Sequence, residues 1–226
     1  MSNLVKAVVF DMDGTLIDTE RIYQQFWVMA SEELGYNLTR DQLLQLRSLG
    51  VIYAEPLVTE MTNDPEAYIR IKTKRAEMMD PYMQSHEIEQ KPFVREALTL
   101  LRDNGFRLAV ATGTDVEHTA EYLRRAGLID FFGAIVSARM FEKGKPSPDV
   151  YLYACDKIGA KPENAYAVED APNGILSAKN AGMKVVMVPD LTEPDEELMK
   201  LLDYRADNLL DAAEFITKGD RHYEDM

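Results

Sequence analysis

Ala7-Val8-Val9-Phe10-Asp11-Met12-Asp13-Gly14-Thr15 runs four apolar residues straight into two carboxylates one residue apart. The apolar run is short and continuous, the pattern of a strand covered on both faces of a parallel sheet. Two anions held within a few ångströms resist ionising together unless a cation or a shared proton relieves the repulsion. Asp11 and Asp13 are therefore candidates for a metal or acid–base site. Taken alone, the same residues also read as a solvated Asp-Gly turn.

Three further apolar runs end in polar groups suited to the same task. Leu108-Ala109-Val110-Ala111 ends in Thr112-Gly113-Thr114, and Ala165-Tyr166-Ala167-Val168 ends in Glu169-Asp170. Between them, Ala134-Ile135-Val136 leads through a loop to Gly144-Lys145-Pro146. Helical patterns over 92–104, 115–126 and 148–158, closed by Gly105, Gly127 and Gly159, separate the runs. This alternation predicts an α/β fold with a Rossmann-like, doubly wound parallel sheet. Ligands of such folds sit outside the carboxyl ends of the strands, where all four polar clusters converge. Helix starts sharpen the expectation. Thr114-Asp115-Val116-Glu117 reads as a capping box, Ser147-Pro148 as N-cap and first helical residue, and Pro172 as the start of a helix after Asp170.

The converging groups are Asp11, Asp13, Asp170, Glu169, Lys145, the Thr112 hydroxyl and free helix-start amides. Such an oxygen-rich set suits Mg²⁺, which shares its shell with water and a substrate phosphate. Zinc is disfavoured, because there is one cysteine and His86, His118 and His222 lack ligand spacing. Each residue also has a plainer use: Thr112 as a strand-end hydroxyl, Lys145 as a surface lysine, Glu169-Asp170 as acids favouring the helix start that follows. Their conjunction outweighs those uses.

These motifs resemble the haloacid dehalogenase superfamily, in the subfamily with a helical cap inserted after the first motif. The resemblance rests on Asp11 to Thr15, on Thr112, on Gly-Lys-Pro-x-Pro-Asp at 144–149, and on Glu169-Asp170 followed by Gly174-Ile175 and Ala181-Gly182-Met183. It covers nearly the whole chain. It implies that Asp11 is a nucleophile forming an aspartyl-phosphate, with Asp13 as acid to the leaving alcohol and base to water. Thr112, Gly113 and Lys145 would bind the phosphoryl group, and Asp11, the Asp13 backbone carbonyl and Asp170 would hold Mg²⁺. Glu169 is either a further ligand or an acceptor behind the ligands. Members that displace halide lack an aspartate equivalent to Asp13, so phosphoryl transfer is the expected reaction. The mutases of the subfamily place a histidine in the first cap helix and an arginine just after the cap-loop glycine. Tyr23 stands near the first position and no arginine closely follows Gly50, so a phosphatase acting on a small phosphate ester is expected. A phosphosugar mutase is the alternative, and a binding protein that merely keeps the fold is the remote one. Phe93 replaces a glycine usual after the hinge proline.

The catalytic core is assigned to residues 1–15 and 92–226 and the helical cap to 16–91. Within the cap, Tyr23, Phe26, Trp27, Ala30 and Leu34 follow helical spacing and read as core. Thr39-x-x-Gln42 and Asp64-Pro65 mark helix starts, and Asp80-Pro81 the end of the last long helix. Arg47, Tyr23 and Tyr53 are candidates for reaching substrate. The basic run Arg70-Ile71-Lys72-Thr73-Lys74-Arg75 reads as a solvated helix face, with a second substrate phosphate as the other use.

Composition bounds the rest. A net charge of −14 repels nucleic acid and anionic membrane surfaces and also opposes an anionic substrate, which the lysine and the metal must overcome locally. Cys155, the one cysteine, cannot form an intrachain disulfide and reads as core beside Tyr151 and Ile158. Lys6 and Asp11 interrupt the first apolar stretch, so neither a signal peptide nor a membrane span is expected. The expectation is a cytoplasmic protein, monomeric or weakly dimeric, with a frayed tail from 218 onward.

Overall fold

The protein is described by a computed structural model covering residues 6–224, with side chains over 6–219. The N-terminal residues 1–5, the His222 side chain and the last two residues, on which expectations were stated, lie outside the described residues.

Six parallel strands form one sheet: β1 (Ala7–Phe10), β2 (Arg107–Thr112), β3 (Ala134–Ser137), β4 (Ala165–Glu169), β5 (Lys184–Met187) and β6 (Tyr204–Arg205), in the order β3-β2-β1-β4-β5-β6. β1 lies at the centre, with Phe10 opposite Val110 on one side and Val168 on the other. The chain leaves β1 for opposite sides of the sheet, so the crevice beyond Phe10 is the switch point at which doubly wound folds bind ligands. Strand residues alternate between two cores. Val8 and Phe10 pack with α5 (Val94–Asp103), α6 (Val116–Arg125) and α10 (Leu209–Glu224), whereas Ala7 and Val9 pack with α7 (Asp149–Lys157) and α8 (Pro172–Asn180). A short helix, α9 (Glu196–Met199), precedes β6. β5 and β6 were not singled out in the sequence. β6 has two residues, and the run of β5 leads into Pro189 without the polar cluster that marks the others. Cys155 is buried with Tyr151 and Ile158, as its position predicts.

Between β1 and α5 the chain forms α1 (Glu20–Glu33), α2 (Arg40–Leu44), α3 (Val51–Thr62) and α4 (Ala67–Ser85). These helices enclose their own core around Trp27, Leu43, Val58 and Ile71, while Phe26, Met79 and Met83 turn towards the main one. The Thr39–Gln42 capping box forms as expected. Gly50 and Gly144 bring this unit against the sheet domain. Gly50 N–H donates to the Lys145 carbonyl at 2.7 Å, and a Cβ on either glycine would sit about 3 Å from the other's Cα.

Several local expectations are corrected. α4 runs through Pro81 to Ser85 instead of ending there, because Met79 and Met83 are buried and the Tyr82 ring packs 5.3 Å from Phe26. That burial offsets one missing backbone hydrogen bond. Leu34 lies past the end of α1 and is exposed, so the apolar stripe stops at Ala30. The N-cap of α6 is Asp115, whose carboxylate accepts from the His118 N–H at 3.0 Å, and not Thr114. Ser147 does not cap α7. Its hydroxyl donates to Asp149 at 2.6 Å, and Pro148 takes the cap position. The segment from 218 is helical as far as Glu224. Phe93 adopts φ 61°, the left-handed region that glycine enters at least cost, at the junction leading into α5. Among the described residues no helix is long and apolar enough to cross a membrane.

Candidate active site

Four carboxylates meet at the carboxyl ends of β1 and β4. Asp11 follows β1 directly and is held by its N–H donating to the Val168 carbonyl at 3.0 Å. The loop then folds tightly, with Gly14 at φ 82° and its N–H on the Ile17 carbonyl at 2.9 Å. A Cβ at Gly14 would come within 2.5 Å of Asp170 Oδ2, so only glycine lets the two acidic segments approach. Oxygens of Asp11, Glu169 and Asp170, all buried, lie within 4.8 Å of one another.

Lys145 joins this cluster from the loop before α7. It is fully buried, and its Nζ donates to Asp11 Oδ1 and Glu169 Oε1, both at 2.6 Å. Tyr151 donates to the same Glu169 oxygen at 2.5 Å, and Asp170 N–H donates to Glu169 Oε2 at 3.2 Å. Glu169 therefore has both oxygens engaged in fixing Lys145 and the turn after β4. Burial lowers the Lys145 pKa, but Asp11 and Glu169 override it and hold the ammonium above its ordinary value. Asp11 is pushed well above the usual carboxylate range, first by burial. Lys145 opposes this, and Glu169, Asp170 and Asp13 add to it.

Asp13 has a different environment. Thr19 donates to its Oδ1 at 2.5 Å and Thr114 to its Oδ2 at 2.8 Å, while Thr112 lies at 3.5 Å. Burial raises its pKa against the pull of those hydroxyls. Thr112 is buried and its Oγ1 accepts from Thr114 N–H at 3.1 Å. Thr19 and Thr114 escaped the sequence reading. Thr114 was assigned to the helix cap, and once Asp115 takes that task its hydroxyl is free to face Asp13.

Arg47, from the turn after α2, is buried, and its guanidinium is engaged by acids of both the core domain and α1. It pairs with the Asp170 carboxylate, donates to Thr192 at 3.0 Å and lies 3.6 Å from Glu20. Tyr23 reaches the site, with its hydroxyl 3.4 Å from that of Thr114. Tyr53 lies on α3, partly exposed, and does not line the cavity. That cavity, about 360 Å³, is bounded by Asp11, Asp13, Gly113 and Lys145 below and by residues of α1, the Leu46–Val51 segment and α4 above. The basic run of α4 divides. Arg70 and Lys74 pair outward with Glu66 and Glu33, while Lys72 and Arg75 face the cavity.

The donor set fits a hard divalent cation. Among the described residues, Asp11, Asp13, Glu169 and Asp170 face only Lys145 and Arg47 at close range, so ionising all four carboxylates leaves two negative charges uncompensated there. Oxygen is the only donor type these residues offer.

Glu20 adds a titration near neutrality. Burial raises its carboxyl to about 7, against the attraction of Arg47. A carboxyl with a raised folded pKa contributes stability that is full below its ordinary value of 4.5 and is lost as the pH rises through about 7. Glu20→Gln is therefore expected to stabilise the metal-free protein at pH 8 by about 2–3 kcal/mol and to change little at pH 4.5. Urea denaturation at the two pH values checks this, and a variant less stable than the parent at pH 8 would contradict it.

Residues 8–188 match the family described as haloacid dehalogenase-like hydrolase. The chain is 33% identical over 182 residues to a phosphorylated carbohydrates phosphatase of Thermotoga maritima, covering 80% of this chain and 83% of the relative. It is 32% identical over 194 residues to a phosphoglycolate phosphatase of Nitrosospira multiformis, covering 82% and 83%. Among solved structures, a mutant of CbbY from Rhodobacter sphaeroides in complex with xylulose-(1,5)bisphosphate superposes with a TM-score of 0.74 at 25% identity, covering 92% of this chain and 96% of that one. With the parallel sheet, the inserted helices and the strand-end carboxylates in place, the chain belongs to the haloacid dehalogenase-like hydrolase family.

Proposed function

We propose that the protein is a Mg²⁺-dependent phosphatase of small phosphorylated metabolites that works through a phosphorylated Asp11. The carrying observation is the contrast between the two aspartates: Asp11 is ion-paired to the buried Lys145, and the Asp13 carboxylate, among the described residues, is hydrogen-bonded only by hydroxyls. Paired environments of this kind separate a nucleophile from an acid–base group.

Asp11, the Asp13 backbone carbonyl and Asp170 would hold the metal, and Glu169 serves chiefly to position Lys145. When bound, Mg²⁺ supplies positive charge that neutralises the phosphate and the nearby carboxylates. A carboxylate oxygen of Asp11 attacks phosphorus as the bond to the leaving oxygen breaks, and Asp13 gives its proton to that oxygen. The raised pKa of Asp13 suits it to carry that proton. Asp13 then takes a proton from water as the water oxygen attacks phosphorus, the bond to Asp11 breaks, and inorganic phosphate leaves. Lys145, the Thr112 hydroxyl and the Gly113 amide bind the phosphoryl oxygens as they gain charge.

Tyr23 favours hydrolysis over mutase chemistry. Burial first, and then Asp13, raise its hydroxyl pKa far above the ordinary value, so it does not exchange protons near neutrality as a histidine would. The relatives' names point to phosphorylated carbohydrates and phosphoglycolate as the substrate range to test.

The test is phosphate release from sugar phosphates, phosphoglycolate and nucleotides, with Mg²⁺ and with chelator, while hexose-phosphate isomers are followed. Release that needs Mg²⁺ is the expected result. Isomer interconversion without release would replace the phosphatase with a mutase, and silence across the panel would remove both.

A further inference from the structure

The wall that α4 contributes to the cavity is cationic, and its two charges, Lys72 and Arg75, have no ion-pair partner among the described residues. Tyr68, Lys72 and Arg75 lie at i, i+4 and i+7 on α4, which puts them on one helix face, and all three line the cavity. Arg75 lies over the rings of both Tyr23 and Trp27, with its guanidinium carbon 4.9 and 5.0 Å from their centroids. Its Nε is buried without a hydrogen-bond acceptor. Among the described residues, no carboxylate lies within ion-pair distance of Lys72 or Arg75, and the Lys72 Nζ lies 5.7 Å from the Tyr68 ring centre. Arg139 enters the same wall from the core side, after β3. It is anchored by its Nε on the Gly113 carbonyl at 3.1 Å and by Asp115 at 3.0 Å, which neutralises part of its charge. Glu142 also lines the cavity, and Glu55 attracts Lys72.

Gathering like charges in a half-buried cavity costs free energy, and the cost is visible at Lys72. Its pKa is pulled down by burial and then by Arg139 and Arg75. An anion placed among the three relieves that repulsion. The two ring contacts hold the guanidinium in place in advance, so less side-chain entropy is lost when an anion arrives. The Asp11 end is chemically distinct, because Lys145 and Arg47 are already bound to carboxylates there.

We propose that Lys72, Arg75 and Arg139 form a second anion subsite, so that the substrate is a small phosphomonoester carrying another phosphate or a carboxylate at the end away from Asp11. This rests on the phosphatase reading for the identity of the first subsite and deepens it by naming the substrate class. Because Lys72 and Arg75 come from the inserted helices and Arg139 from the sheet domain, such a substrate bridges the two units.

The test separates binding from turnover by using the Asp11→Asn variant with Mg²⁺ in calorimetric titrations. The matched probes are fructose 1,6-bisphosphate against fructose 1-phosphate and fructose 6-phosphate, and 2-phosphoglycolate against ethyl phosphate. In at least one set the doubly anionic member is expected to bind about 10- to 100-fold tighter. Lys72→Gln and Arg75→Gln in that background should shrink the ratio at least about tenfold, and Arg75→Lys should restore part of it. A bisphosphate preference identifies the second anion as phosphate, and a phosphoglycolate preference as carboxylate. Equal affinities in both sets, or a preference untouched by the Lys72 and Arg75 variants, overturns the subsite. The wild-type release assay decides hydrolysis separately, so a failed subsite and a failed phosphatase are told apart. Circular dichroism of each variant shows whether a lost preference reflects lost folding.

Discussion

Asp11→Asn is expected to lower phosphate release by about 10⁴-fold or more, the scale on which removal of a covalent nucleophile acts, without loss of stability. The substitution is nearly isosteric, keeps an oxygen acceptor for Lys145 and removes one negative charge. Asp11 is raised well above the usual carboxylate range by burial and by three neighbouring acids, with only Lys145 opposing. Its ionised form therefore destabilises the metal-free fold as the pH rises, and the amide relieves that strain. Unchanged or increased stability at pH 8, together with abolished turnover, separates a chemical role from a structural one. Retention of even about a tenth of the activity would remove Asp11 from the nucleophile's position, because the loss predicted for a covalent step is far larger.

Lys145→Met is expected to cost about 3–5 kcal/mol of stability near pH 8, as breaking a buried ion pair from one side does, and to abolish turnover. The side chain is fully buried between Asp11 and Glu169, and among the described residues no other cation touches either oxygen it serves. Removing it leaves two buried carboxylates facing each other. The deficit should shrink as the pH falls, because protonation of Asp11, whose carboxyl is already raised by burial, then relieves the repulsion without a cation. Glu169→Gln in the same background should recover part of the stability, since one of the two charges is gone, but none of the activity. Urea denaturation of the three proteins at pH 5 and pH 8 checks both statements. A deficit below about 1 kcal/mol, the level of an exposed pair, or one independent of pH, would show that Lys145 is not the counter-ion the geometry implies.

The basic run on α4 shows where sequence and structure part. Its charge pattern identifies a helix and makes Arg70, Lys72, Lys74 and Arg75 equivalent candidates for solvent. Helix geometry turns Lys72 and Arg75 onto the face of Tyr68, and only the docking of α4 beside α1 places that face over Asp11 and Asp13. Arg47 is a similar case. Its loop position was readable, but its partners Asp170 and Thr192 lie more than 120 residues away, at separations that no local periodicity records.

What the chain determined by itself is the alternation of buried strands and amphipathic helices, and with it the convergence of Asp11, Thr112, Lys145 and Glu169-Asp170. Each strand-end group is fixed by a local pattern, and a parallel sheet necessarily brings equivalent ends together. What only the tertiary structure decided is which polar side chain each of those groups faces. Thr19 and Thr114 meet on Asp13, Glu169 holds Lys145, and the inserted helices turn two of their cations inward. Such pairings depend on how separate packed units are seated on one another, a property of the interface and not of any single segment.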